Sequence, residues 1–233
     1  MRTLKINGTD IATLGATLLT VDYGYSKVNT YKDWLKGAKN PLYFSQDTQY
    51  TTAEFKILVE ANDRAALDLA SSNLVALARK AKFQVSTDKF YVDGDLTDAS
   101  DNPISSKAKE VTITIEGIKS QDDKLSFGVP IGETTKFTPI GNVEVPAKFR
   151  LLLNVGMPSC TLTVNGKSYV LDKTTERSYL TIDGINGKVE YGGINHIEDY
   201  QAWDFPTILC GQENTISMSA GGEVEITYTG RWM

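Results

Sequence analysis

Thr52–Glu60 reads Thr-Ala-Glu-Phe-Lys-Ile-Leu-Val-Glu, and Val111–Ile118 reads Val-Thr-Ile-Thr-Ile-Glu-Gly-Ile. Phe55, Ile57 and Val59 recur at every second position of the first stretch, and Val111, Ile113 and Ile115 do so in the second. Successive side chains of a strand point to opposite faces, so each stretch predicts a strand with one buried face. Between them the apolar residues change period. Leu67, Ala70, Leu74, Leu77, Ala78 and Ala81 make one narrow stripe on a helix that the pattern runs from Asp63 to about Lys82. Asn62 is a suitable N-cap, and Arg79, Lys80 and Lys82 suit the negative end of the helix dipole. A helix with one apolar stripe must cover something, and the flanking strands supply a sheet.

Toward the N-terminus, Leu4–Ile11 predicts a short strand turning on Asn7-Gly8, a strong hairpin signal. Arg2 and Lys5 ahead of Ile11–Val21 imitate the charged and apolar parts of a signal peptide. However, Asn7-Gly8-Thr9-Asp10 interrupts the approach, Thr13, Gly15, Thr17 and Thr20 dilute the apolar part, and Asp22-Tyr23-Gly24-Tyr25 stands where a small-residue cleavage site is needed. A secretion signal is therefore not expected. After the helix, Phe83–Val85 and Lys89–Val92 read as strands. Asp93 to Lys109, with Gly94, Asn102 and Pro103, reads as a turn or extended hairpin projecting from the first domain.

The pattern relaxes over Gln121–Pro130, and Gly128–Gly132 marks a boundary between domains 1–130 and 131–233. Beyond it the chain is strand and turn. Lys148–Val155 is short and apolar. Asn165-Gly166-Lys167 separates Cys160–Val164 from Ser168–Leu171, Asp183–Gly187 separates Tyr179–Ile182 from Lys188–Tyr191, and Ala220-Gly221-Gly222 separates Thr215–Met218 from Glu223–Tyr228. Short strands at regular spacing predict an antiparallel β-sandwich. The fold class is thus mainly β: a mixed β domain with one helix, then a sandwich.

The 233 residues carry 24 basic and 29 acidic side chains, a net charge of −5, with 41% hydrophobic and 23% charged residues. That composition is ordinary for a globular chain and excludes wholesale disorder and fibrous repeats. An acidic balance argues against specific nucleic-acid binding, which needs clustered Lys and Arg. No apolar run approaches the roughly 20 residues that cross a bilayer, so membrane insertion is not expected. Cys160 and Cys210 stand fifty positions apart with no CxxC spacing, which suits free buried thiols better than a disulfide framework.

Chemistry-bearing motifs are sparse. The single histidine, His196, lies in Gly193-Ile194-Asn195-His196-Ile197-Glu198-Asp199, with no GxSxG elbow and no cysteine near it in sequence. Adjacent residues on an extended chain point apart, which makes His196 with Glu198 and Asp199 a thin case for a metal, so this segment reads as a surface loop. No GxxxxGK[ST] and no GxGxxG cradles a phosphate, and Asp122-Asp123 sits in a polar turn. No catalytic residue, cofactor or metal is expected, although a small hydrolase with converging carboxylates would leave no sharper trace. The aromatics are the remaining candidates. Trp34, Tyr200 and Trp203 are candidate interface residues, with core packing and a sugar-stacking platform as the competing roles.

The order of parts resembles the distal tail proteins of long-tailed bacteriophages, or a prophage-encoded relative. The resemblance rests on Lys136-Phe137-Thr138-Pro139 opening the second domain, on Tyr179–Asp183 before a Gly-rich turn, and on Phe205-Pro206-Thr207-Ile208-Leu209-Cys210-Gly211-Gln212-Glu213-Asn214-Thr215-Ile216. The closing stretch Val224–Trp232 looks like that family's last strand. Ile208 precedes the leucine of the family pattern, and Cys210 stands where proline is common. The resemblance implies a galectin-like or carbohydrate-module-like second domain and a homohexameric ring made by the first. The ring would join the tail tube protein to the tail-tip or baseplate hub protein and to receptor-binding proteins, within the virion, with DNA passing through it. It implies no active residue. A carbohydrate-binding or adhesin module is the rival reading.

Overall fold

The computed structural model describes residues 2–26, 28–33, 42–48, 50–153, 158–174 and 179–232. The chain forms two compact units, residues 1–120 and 121–232. Trp34 lies outside the described residues.

The first unit contains β1 (Leu4–Ile6), β2 (Thr9–Asp10), β3 (Ala16–Tyr23), β4 (Val28–Asp33), β5 (Leu42–Thr48), β6 (Thr51–Glu60), α1 (Arg64–Ala78), β7 (Lys80–Val85), β8 (Tyr91–Pro103) and the first part of β9 (Ala108–Val129). Its main sheet is antiparallel in the order β2-β1-β7-β8-β9-β6-β3, while β4 and β5 pair as a separate ribbon. Asn7 and Gly8 both take positive φ, 51° and 81°, the left-handed pair that a two-residue hairpin between β1 and β2 requires. The segment weighed as a signal sequence folds as a 3₁₀ turn, Ile11–Leu14, followed by β3.

Register places Phe55 opposite Ile113 and Ile57 opposite Val111, so the two alternating stretches share one buried face. Helix α1 covers that face with Leu67, Leu74 and Ala78, and the rings of Phe55 and Phe83 stack at 5.1 Å beneath it. Burying each such side chain is worth about 1.5–3 kcal/mol. The helix is shorter than its apolar stripe suggested. It ends at Ala78, and Lys80–Val85 is a strand whose Ala81, Phe83 and Val85 alternate into the core. The cap is Asp63 in place of Asn62, because its carboxylate accepts from the Ala66 N–H at 2.9 Å. The polar stretch after β7 is the expected extended hairpin, with pairing carried out to Pro103 opposite Lys109.

Strand β9 continues to Val129, through the stretch where the sequence pattern relaxes, and the two units part within it at Ser120 and Gln121. The second unit adds β10 (Thr135–Phe137), β11 (Glu144–Leu153), β12 (Ser159–Val164), β13 (Lys167–Asp172), β14 (Tyr179–Asp183), β15 (Lys188–Tyr191), β16 (Ile194–Asn195), β17 (Tyr200–Gln201), β18 (Thr207–Leu209), β19 (Asn214–Met218) and β20 (Gly222–Trp232). One sheet runs β16-β15-β14-β11-β20-β9 with β18 on the start of β11, and the other runs β10-β19-β12-β13-β17. Phe149, Leu151, Leu180, Ile182, Val224 and Ile226 of the first sheet share one core with Leu162, Val164, Leu171 and Ile216 of the second. This is the expected sandwich.

The turn Ala220-Gly221-Gly222 is a crossover between sheets, since β19 pairs with β10 and β12 while β20 pairs with β11. Gly222 is required there: φ is 141°, and a Cβ would stand 2.0 Å from the Leu152 carbonyl oxygen. Cys160 and Cys210 are buried free thiols, and burial pushes both pKa values up. Among the described residues no helix is long and apolar enough to cross a membrane.

Candidate functional site

Tyr200 and Trp203 lie on the arm that leaves β17 and returns as β18. Tyr200 pairs with Leu171 and is only 8% exposed, its ring stacked between Tyr169 at 6.3 Å and Phe205 at 5.2 Å. Its hydroxyl donates to the Asp204 carbonyl oxygen at 2.6 Å. Burial, with Tyr169 and Asp204 nearby, pushes the phenol pKa up, so the group stays a donor. The Lys167 ammonium pairs with the Asp204 carboxylate, and Thr207 bonds Glu144. These contacts pin the arm on both sides of Trp203. The indole itself is completely exposed, at 105% of its reference surface. Tyr200 is therefore core, and Trp203 is the aromatic that this arm presents to solvent.

The neighbouring turn between β14 and β15 is built around a buried carboxylate. Asp183 accepts from the backbone N–H groups of Ile185 (3.1 Å) and Asn186 (3.0 Å) and from the Asn186 side chain (2.9 Å), with Lys148 Nζ at 3.4 Å. Burial alone would raise its pKa, but Asn186 and Lys148 outweigh burial and hold the carboxyl below the usual aspartate range. Gly184 lets Phe205 approach, since a Cβ there would stand 3.3 Å from Phe205 Cβ and 2.9 Å from the Ala147 carbonyl oxygen. Ile185 of this turn is exposed, whereas Phe205 is half-buried against the sandwich core. In the sequence the only trace of Asp183 and Ile185 is the Asp-Gly-Ile-Asn-Gly spacing.

His196 is not on an extended loop. It caps a 3₁₀ turn, Ile197–Asp199, which brings His196, Glu198 and Asp199 together with donor atoms all within 4.8 Å. The expectation that adjacent side chains here point apart fails for Glu198 and Asp199, because a tight 3₁₀ turn rotates successive residues where an extended chain would alternate them. The imidazole is one-quarter exposed and packs its ring edge-on against Tyr191 at 5.1 Å. Asp199 is buried, with Lys173 Nζ at 2.7 Å.

Polar clefts occur in both units. In the first unit, Lys109 bridges Asp68 of α1 and Asp101 of β8, both at 3.1 Å, beside a cavity of about 380 Å³. In the second unit, Arg150 stands 4.7 Å above the half-exposed Tyr179 ring, beside Glu223 and Glu225, in a cleft of about 150 Å³ on one sheet face.

No protein-family model matches the chain, and no curated protein matches it. Solved structures do match. The Dit protein of phage SPP1, described as a paradigm of the hub adsorption apparatus in phages infecting Gram-positive bacteria, superposes with a TM-score of 0.81 at 11% identity, covering 98% of this chain and 99% of that one. A chain of the phage P2 baseplate in its activated conformation with calcium matches at 0.51 and 12% identity, covering 99% and 98%. The same baseplate with strontium gives 0.50 at 12% identity, covering 98% of each chain. At identities this low the likeness is one of fold, and it extends over nearly the whole chain: this protein has the fold of the SPP1 Dit protein.

Proposed function

We propose that this protein is a structural component of a phage tail tip or baseplate, a homohexameric ring hub that connects the tail tube to the host-recognition apparatus. The observation that carries the reading is the end-to-end match to the SPP1 Dit protein at a TM-score of 0.81. A match of that kind covers both units and their order, which a chance likeness between two β-sandwiches does not. In this reading the first unit forms the ring, and the tail tube and baseplate hub proteins are its partners. The second unit docks receptor-binding proteins through the surface around Trp203, and the protein performs no catalysis. A pinned arm carrying one exposed indole suits docking, because a few preorganised aromatic anchors supply most of the energy of a protein interface. The net charge of −5 per subunit suits a ring through which DNA passes without sticking. The test is the mass of the purified protein, alone and with tail-tube partner, together with negative-stain images. Sixfold rings of subunit multiples support the reading, and a protein that stays monomeric with its partner present counts against it.

Carbohydrate binding by the second unit has one observation in its favour, the Tyr179 cleft with Arg150, Glu223 and Glu225 on one sheet face. Binding of a cell-wall glycan that Tyr179→Ala abolishes in a folded protein would favour that reading for this unit.

A further inference from the structure

The turn that carries His196 also carries the chain from one sheet of the sandwich to the other. β16, before it, pairs with β15, and β17, after it, pairs with β13. The His196 N–H donates to the Val189 carbonyl oxygen at 2.6 Å, and the ring is set edge-on against Tyr191, so the imidazole is oriented by the first sheet. Asp199 is oriented by the second, at the foot of β17, with 2% of its side chain exposed. Lys173 engages Oδ1 of that carboxylate, while Oδ2 lies 3.9 Å from His196 Nδ1. Glu198 Oε1 lies 3.3 Å from the same nitrogen.

We infer that His196, Glu198 and Asp199 bind a divalent transition-metal ion of the zinc class. An ion with bonds of about 2.0–2.1 Å to nitrogen and oxygen holds tetrahedral donors roughly 3.3 Å apart. The His196–Glu198 pair already has that separation, while the His196–Asp199 pair stands at 3.9 Å and all three donors lie within 4.8 Å, so the exposed Glu198 and the imidazole have to close on the ion. One imidazole and two carboxylates favour zinc and its first-row neighbours over calcium or magnesium, which prefer all-oxygen shells. The three donors come from one turn, so little chain entropy is lost when they close on an ion. Lys173, at 2.7 Å from Oδ1, offsets one carboxylate charge and holds Asp199 in place. Three protein ligands leave a fourth position for water or for a side chain of a partner. Bound there, the ion ties the β16 end of one sheet to the arm that presents Trp203.

The test uses the tag-free full-length chain at pH 7, where its single histidine makes the imidazole NMR signals unambiguous. Zinc ion alone is titrated and followed by those signals and by calorimetry. The expected result is one ion per chain, a shift of the His196 ring signals, and at least about tenfold weaker binding in both His196→Ala and Glu198→Gln, since even outer partners of a metal ligand cost about 10–100-fold. Glu198 is exposed, so its variant keeps the fold. Ring signals that zinc leaves in place would overturn the proposal. So would an affinity that Glu198→Gln and Asp199→Asn leave unchanged, which would mean an adventitious contact with a lone imidazole.

Discussion

Trp203 and Tyr200 share one arm and have opposite environments, and that difference makes a measurable prediction. Trp203 buries nothing, so Trp203→Ala should leave thermal or denaturant stability within about 0.5 kcal/mol of the parent while weakening assembly with a tail-tip partner. Tyr200→Phe removes the hydroxyl from the Asp204 carbonyl and should cost about 1 kcal/mol. A large stability loss in Trp203→Ala would mean that the indole packs in solution. Asp183 gives the second residue-scale prediction. Its carboxyl binds a proton less tightly when folded than at the ordinary value of 3.8, so it stabilises the fold above that value, and the contribution is lost as pH falls through the lower folded value. Asp183→Asn should flatten the acid limb of the stability curve below about pH 4 and cost about 2 kcal/mol at neutral pH. At this scale little was legible beforehand. Aromatic residues three apart in a short, irregular arm carry no periodicity, so nothing in the sequence tells which ring points inward.

Periodicity is informative where elements are long and ambiguous where two periods overlap. Phe55, Ile57, Val59 and Val111, Ile113, Ile115 alternate cleanly and are buried as expected. Residues 78–83 satisfy a helical and a strand pattern together, because Ala78 and Ala81 continue the stripe while Ala81, Phe83 and Val85 alternate. The pairing of β7 with β1 and β8 decides between them, and that contact is remote in sequence. The second half of β9 follows the same alternation. Leu125, Phe127 and Val129 alternate behind the polar run Gln121–Lys124, and all three pack on the sandwich core. Helix α1 begins at a side-chain cap, so Asp63→Ala should lower stability by about 1 kcal/mol, while Asn62→Ala should be nearly neutral. Chemical denaturation of the two variants checks which residue caps.

Each unit encloses its own buried cluster, one built on β6, β9 and α1 and the other on the two facing sheets. A unit with its own core can fold without the rest of the chain. The order of a helix-bearing β unit before a sandwich was legible because turn signals and strand periods change along the chain. The pairing of strands across it was not, because register depends on partners far apart in sequence. On this basis a fragment ending at Ile131, which retains all of β9, should fold cooperatively, with a Tm measurable by circular dichroism. Leu125, Phe127 and Val129 lose their sandwich partners in that fragment, so a fragment carrying Leu125→Ser and Phe127→Ser should be the more soluble form. If the first unit makes the ring, the fragment should assemble to the same copy number as the full chain under the same conditions. Mass photometry or sedimentation of both proteins, with the tail-tube partner present, reads the copy number directly. Rings that form only when residues 132–233 are attached would place the subunit contacts in the sandwich and reverse the assignment of roles between the two units.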